Sequence, residues 1–363
     1  QDDWKVSRNV TLNLGMRYEF YGVPYDQNGR TAGLAGGSGS VFGISGRDAS
    51  ALFRPGAADG ALTQVALMGR NSIDPLRNLY NNDANNFGPA VGISWGLPWF
   101  GKDKTILRAG YQMGYERASF RILDVVAGDL PGLRVVETQT NGAGYTNLNG
   151  LRLPLSSSVA PLATVPLTDR TQTLRTFDTG MRVPYAQNFN VSVTRSLPGN
   201  FTLDVRYVGS KGTRLVRGAD MNEHNIFETG ILEAFQIAQA GGNAPLFNRI
   251  FNTANSFNTI AANTTLQGHL ANGNVGSFAR FLNETDLQTG VRGGLLRRAG
   301  LPENFIVTNP QFASARMTSN FASSTYHSMQ IELNRRFTKG VAAQWNYTWS
   351  RALGEEEGSS QEQ

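Results

Sequence analysis

The chain has 363 residues and is 40% apolar, long enough to bury a sizeable core, but no run of 18 apolar residues offers a transmembrane helix. It lacks cysteine, which excludes a disulfide scaffold, a thiolate metal site and a cysteine nucleophile together. The net charge is +5 and the basic residues are scattered, with Arg297-Arg298 and Arg335-Arg336 the adjacent pairs, so no nucleic-acid partner is expected.

Taken in order, the chain keeps returning to one pattern. Residues 1–6 lead into "TLNLGMRYEF", where Leu12, Leu14, Met16, Tyr18 and Phe20 alternate with Thr11, Asn13, Gly15, Arg17 and Glu19. A period of two with one apolar and one polar face predicts a strand over 10–20. The same alternation predicts strands over 87–96, 104–116, 186–195, 201–209, 327–337 and 341–350. The last is the cleanest, with Val341, Ala343, Trp345, Tyr347 and Trp349 against Ala342, Gln344, Asn346, Thr348 and Ser350.

The connections alternate as well. "SRN", "LPWFGKD", "LPGN" and "TKG" are hairpin-length turns, whereas 21–86, 117–185 and 210–326 are many times longer. Short turns at one end and long loops at the other, joined by strands of about 9–11 residues, characterise outer-membrane barrels. Aromatics sit at both strand ends, where interfacial girdles belong: Trp4, Trp99, Phe201 and Phe337 by the short turns, Phe20, Tyr115, Tyr185 and Trp349 by the long loops. The polar parity carries Gly, Asn, Ser, Thr and Gln with a few charges, which suits a wet lumen better than bulk solvent. The fold class expected is all-β: an antiparallel transmembrane β-barrel, partial, about eight strands of a larger barrel with long extracellular loops. Arg195, Gln187 and Arg335 break the apolar parity near the rims, and Ile106 falls on the polar side.

The wording of the staves resembles a family. "QDDWKVSRNVTLNLGMRYEF", "PYAQNFNVSVTRSLPGNFTLDVRYVGSKGTRL" and "STYHSMQIELNRRFTKGVAAQWNYTWSRALGE" look like the barrel hairpins of TonB-dependent outer-membrane transporters, in their Oar-like branch. The resemblance covers about a third of the chain closely. It implies a cell outer-membrane location, a barrel of about 22 strands, a plugged lumen and energy delivered through TonB. Residues 1–363 are then part of one barrel domain, with the plug domain and C-terminal strands absent. The implied partners are outer-membrane lipid, the protein's own plug, TonB through the missing N-terminal part, and an unidentified large substrate taken up or exported. Arg17, Glu19, Arg108, Gln112, Glu116, Asp204 and Arg206 become lumen-facing candidates for plug or substrate contact, and small residues such as Gly92, Gly110 and Gly114 suit close approach by a plug.

Chemistry leaves little trace. His224, His269 and His327 lack metal-ligand spacing, "GSKGTRL" lacks the phosphate-loop spacing, and no nucleophile elbow occurs. No catalytic residue, metal or cofactor is expected, and the chain is not read as an enzyme. "IFETGILEAFQIAQA" in the third loop predicts a short helix, and "EEE" at 355–357 a solvated outer loop. A passive porin or adhesin barrel and an extracellular carbohydrate-binding β-sandwich remain as alternatives. If the long segments face outward, cysteines placed at Ser45, Ser157 or Ser277 are expected to react at the cell surface.

Overall fold

The computed structural model describes residues 2–24, 31–68, 78–101, 104–117, 130, 164–285, 291–338 and 340–355. Eight strands run antiparallel, each beside the next: β1 (Asp2–Lys5), β2 (Val10–Tyr18), β5 (Phe87–Gly96), β6 (Thr105–Tyr115), β8 (Tyr185–Leu197), β9 (Phe201–Asp220), β10 (Ser314–Thr338) and β11 (Val341–Gly354). The seven staves read from the alternation are present, and the lead-in supplies the eighth strand, β1. Among the described residues β1 and β11 each pair on one side only, so the sheet is open.

The tight turns follow from their residues. In "LPGN" Gly199 and Asn200 have φ of 77° and 65°, a left-handed backbone that glycine adopts freely and asparagine tolerates. Gly340, at φ 78°, does the same between β10 and β11.

The apolar cores lie outside the staves. None of the three buried clusters takes a residue from β1, β2, β5, β6, β8 or β11. Met16 is 67% exposed, Trp345 54% and Trp349 59%. A soluble sandwich would bury that face against a second sheet, and no such sheet covers it among the described residues. That exposure is the opposite of what a sandwich core shows.

One expectation, on strand length, needs correction. The stave 201–209 continues to Asp220 and the stave 327–337 begins at Ser314, so β9 and β10 have 20 and 25 residues, about twice what a bilayer requires. Their outer halves form a stalk beyond the other strands. β7 (Thr173–Phe177) joins that stalk, pairing parallel with Ser314–Thr318 in an otherwise antiparallel sheet. Register shifts between Ser319 and Ser324, with Arg214 at φ 59° opposite, mark a bulge where stalk meets stave. The Asn320 amide fastens it, accepting from the Arg182 N–H at 2.6 Å and donating to the Arg182 and Arg214 carbonyls at 2.9 and 2.6 Å.

The all-β reading describes the wall, and the third long loop adds helices outside it. The segment between β9 and β10 is a helical unit: α1 (Ile231–Gln239), α2 (Pro245–Phe251), α3 (Ser256–Ala262), α4 (Thr264–Ala271), α5 (Val275–Glu284) and α6 (Gly294–Arg298). The helix expected in "IFETGILEAFQIAQA" is α1, which buries Ile231, Ala234, Phe235 and Ala238 on one stripe. Pro245 opens α2 in the position where its missing N–H costs nothing, and the Asn263 side chain caps α4 by accepting from Thr265 and Leu266. Phe278 packs against Phe235 and Phe247 at ring distances of 5.3 and 5.1 Å, and all three are buried. A second core joins β3 (Thr31–Leu34), β4 (Val65–Met68), β7 and Phe312. The described parts of the long loops thus fold together as a cap on one end of the wall.

The cap changes what surface labelling should show. Ser45 is 1% exposed and its hydroxyl donates to the Thr308 carbonyl, Ser277 is exposed on α5, and Ser157 lies outside the described residues. A cysteine at Ser277 is expected to react with an impermeant maleimide in intact cells making the full-length protein. One at Ser45 should react only after denaturation. Ser277 labelling that needs lysis would place the cap on the periplasmic side.

Candidate functional site: the polar face and its cap

Cross-strand register decides which side chains share a surface. On one parity the partners read Leu12, Ile93, Ala109, Val191, Tyr207, Met329 and Trp349 across seven strands. The row nearer the short turns reads Val10, Trp95, Leu107, Val193, Val205, Ile331 and Tyr347. A slip of one residue in any strand would drop a polar residue into this band, so the apolar face fixes the register. The opposite parity reads Asn13, Gly92, Gly110, Asn190, Val208, Ser328 and Ser350, with Val208 the apolar member. Gly110 is tightly placed, since a Cβ there would lie 3.1 Å from the Asn190 amide.

The candidate residues fall on or at the end of this polar face but in two groups. Arg108 and Arg206 occupy one row, separated by Ser192, so two strand spacings of about 4.8 Å lie between their backbones. One row nearer the turns, Asp204 accepts from the Thr194 hydroxyl at 2.6 Å and from Arg206 at 3.3 Å. At the long-loop end, Arg17 pairs with Glu19 at 2.8 Å, and the other Glu19 oxygen accepts from the Tyr115 N–H at 3.3 Å. Glu116 stands beside that end, its N–H held by the Pro184 carbonyl, while Gln112 lies between the groups opposite Ala90 and Asn188. Exposed Arg108 and Arg206 offer donors for an anionic or hydroxyl-rich surface. Glu19 is held within the wall by Arg17 and Tyr115, whereas the Arg17 side chain stays exposed.

Sequence reasoning missed the polar groups that hold the cap together. Arg170, fully buried at φ 48°, donates to the Leu167 and Asn283 carbonyls and to the Asn283 and Glu303 side chains. Burial pulls its pKa down, and Glu303 beside it opposes loss of the charge. Gly293 leaves the space: a Cβ there would sit 2.6 Å from the guanidinium carbon. Nearby, Asn222, Asn309, Gln311 and Thr63 exchange hydrogen bonds in full burial, joining segments more than 80 residues apart. No local pattern announces these contacts. Two cavities among the described residues, about 10 Å³ beside Phe177 and about 20 Å³ beside Tyr80 and Arg117, have room for a water or two. No cluster of three metal-ligating side chains occurs among the described residues, and no described helix is long and apolar enough to cross a membrane.

A family model for the outer membrane beta barrel domain matches residues 1–363, and the chain belongs to that family. It is a protein of the cell outer membrane. No curated protein sequence matches it. Similar solved structures include the outer membrane transporter YddB from Escherichia coli, at 11% identity and TM-score 0.33 over 81% of this chain and 22% of that one. The siderophore receptor PirA from Pseudomonas aeruginosa gives 8% and 0.29 over 80% and 31%. The FrpB iron transporter from Neisseria meningitidis gives 9% and 0.31 over 99% and 36%. The chain spans between a fifth and two-fifths of these proteins' lengths, and the family assignment rests on the full-length match of the family model.

The two faces can be told apart by charge. Val191→Arg, at mid-wall between Ala109 and Tyr207, is expected to cost about 2–4 kcal/mol in equilibrium unfolding of the lipid-reconstituted full-length protein. Asn190→Arg, one residue away, should cost far less. Equal losses would mean both faces meet the same environment.

Proposed function

We propose that the chain forms part of the wall and outer cap of a TonB-dependent outer-membrane transporter for a large, unidentified substrate. The observation that carries this reading is the pairing of an unbroken apolar band with a polar face dominated by small residues, capped at the long-loop end. A polar face lined by Gly92, Gly110 and Asn190 suits a separate folded plug, and in this reading Arg108, Gln112, Asp204 and Arg206, which share that face, contact the plug or a polar substrate path. Arg17, Glu19 and Glu116 belong to the rim, where substrate enters or leaves. TonB acts through the plug-bearing part of the longer protein. The wording of the stave hairpins supports this branch over a passive porin. The proposed role needs no cofactor and no enzymatic step.

Planar-bilayer recording separates transporter from porin. The full-length protein is expected to insert without steady conductance and to open only when urea displaces the plug. Ohmic channels from the moment of insertion would favour the passive pore.

A further inference from the structure

The lipid-facing parity carries cations that a wall does not require. Lys211 on β9 lies opposite Gln187 and Thr325, and Arg351 on β11 lies opposite His327, on the same parity as Val205, Tyr207, Met329 and Trp349. Arg214, at the bulge, sets its guanidinium 5.6 Å above the Tyr185 ring. Lys211, Arg214, His327 and Arg351 are all exposed. Opposed residues stand about 5 Å apart and diagonal ones about 7–8 Å, so Lys211, His327 and Arg351 form one patch across β9, β10 and β11.

The patch has a definite height and floor. Lys211 is ten residues beyond Phe201, which lies opposite Arg335 beside the short turns. Ten residues at about 3.3 Å and a tilt of about 40° rise roughly 25 Å, the height of a barrel's apolar band. The cations therefore sit at the far interface, on the cap side. Beneath them Tyr207 stacks on His327 at 6.1 Å, with its hydroxyl 2.7 Å from Nδ1, and Phe189 lies 6.0 Å from Tyr207. Gly209 makes space for Phe189, since a Cβ there would come within 2.1 Å of the ring. Over 185–197, 201–213, 325–335 and 341–353 the outward parity holds no Asp or Glu; Glu355, two residues past Leu353, is the acid at the strand end.

We propose that Lys211, Arg214 and Arg351, with His327 and the aromatic floor, bind the phosphates of an anionic glycolipid in the outer leaflet. The proposal rests on the membrane-wall reading. Cations at an interface attract anionic headgroups, Arg presents paired donors to phosphate oxygens, and the rings below meet the first acyl carbons. Arg195 and Arg335 at the opposite rim are a contrast: Arg335 lies over the Phe201 ring at 5.4 Å, the posture of a snorkelling side chain.

The test uses the full-length protein in phosphatidylcholine nanodiscs doped with bisphosphorylated lipid A, with bound lipid counted by native mass spectrometry. Wild type should retain lipid A, and Lys211→Gln/Arg214→Gln/Arg351→Gln should lose about a hundredfold in affinity, at roughly fivefold per cation. Arg195→Gln/Arg335→Gln should bind as wild type, as should the charge-conserving Lys211→Arg/Arg351→Lys. Arg351→Gln alone, expected to lose about fivefold, keeps the test open if the triple variant misfolds. Unchanged binding by the neutral variants, equal binding of dephosphorylated lipid A, or displacement by micromolar inorganic phosphate would overturn the site. Failure of wild type to enter nanodiscs would overturn the membrane reading instead.

Discussion

A backbone that runs through hydrocarbon finds no water, so every N–H and C=O must be met by another strand. The rest of this structure depends on that constraint. It explains why β2 pairs with β5 without a register break from Val10 to Tyr18, and β8 with β9 from Tyr185 to Leu197. It also explains why bulges appear in β9–β10 only past Gly212, where the stalk leaves the level of the neighbouring strands. Among the described residues the outer edges of β1 and β11 carry the same demand.

Once the ladder is fixed, the two faces separate by chemistry alone. Apolar side chains on the outward parity are exposed because lipid, not protein, is their solvent. The cap obeys ordinary aqueous rules: it buries Phe235, Phe247 and Phe278, caps its short helices with Asn, and meets its buried charge at Arg170 with Glu303. Arg170 precedes β7 and its partners Asn283 and Glu303 belong to the helical unit, so one side chain couples two loops. Removing a partner from such a buried pair typically costs about 3–5 kcal/mol, so the loops are held to act as one body.

The staves were legible because period-two alternation persists through them; β5, Phe87–Gly96, has the bounds that the alternation gives. Legibility ended where burial no longer imposed a pattern. "GTRLVRGAD" and "SARMTSNFASS" carry Ser and Arg on both parities, and they are strands because they pair with each other and with β7. Helix α1 was readable from its stripe, whereas α3 and α4 are short, polar and Asn-capped, resembling a loop in sequence. For the candidate site, parity assigned each residue to a face. It could not show that Arg108 and Arg206 share a row, because that depends on how β8 registers between them. Arg170 was invisible for the same reason: its partners lie 113 and 133 residues away.

The central claim is that the exposed aromatic parity faces lipid. Trp345 and Trp349 on β11 test it directly, by tryptophan fluorescence of single-Trp versions of the full-length protein in bilayers with bromine at graded acyl depths. The account predicts strong quenching of both residues by brominated lipid and little by aqueous iodide. Efficient iodide quenching of both, with no response to bromine at any depth, would contradict it.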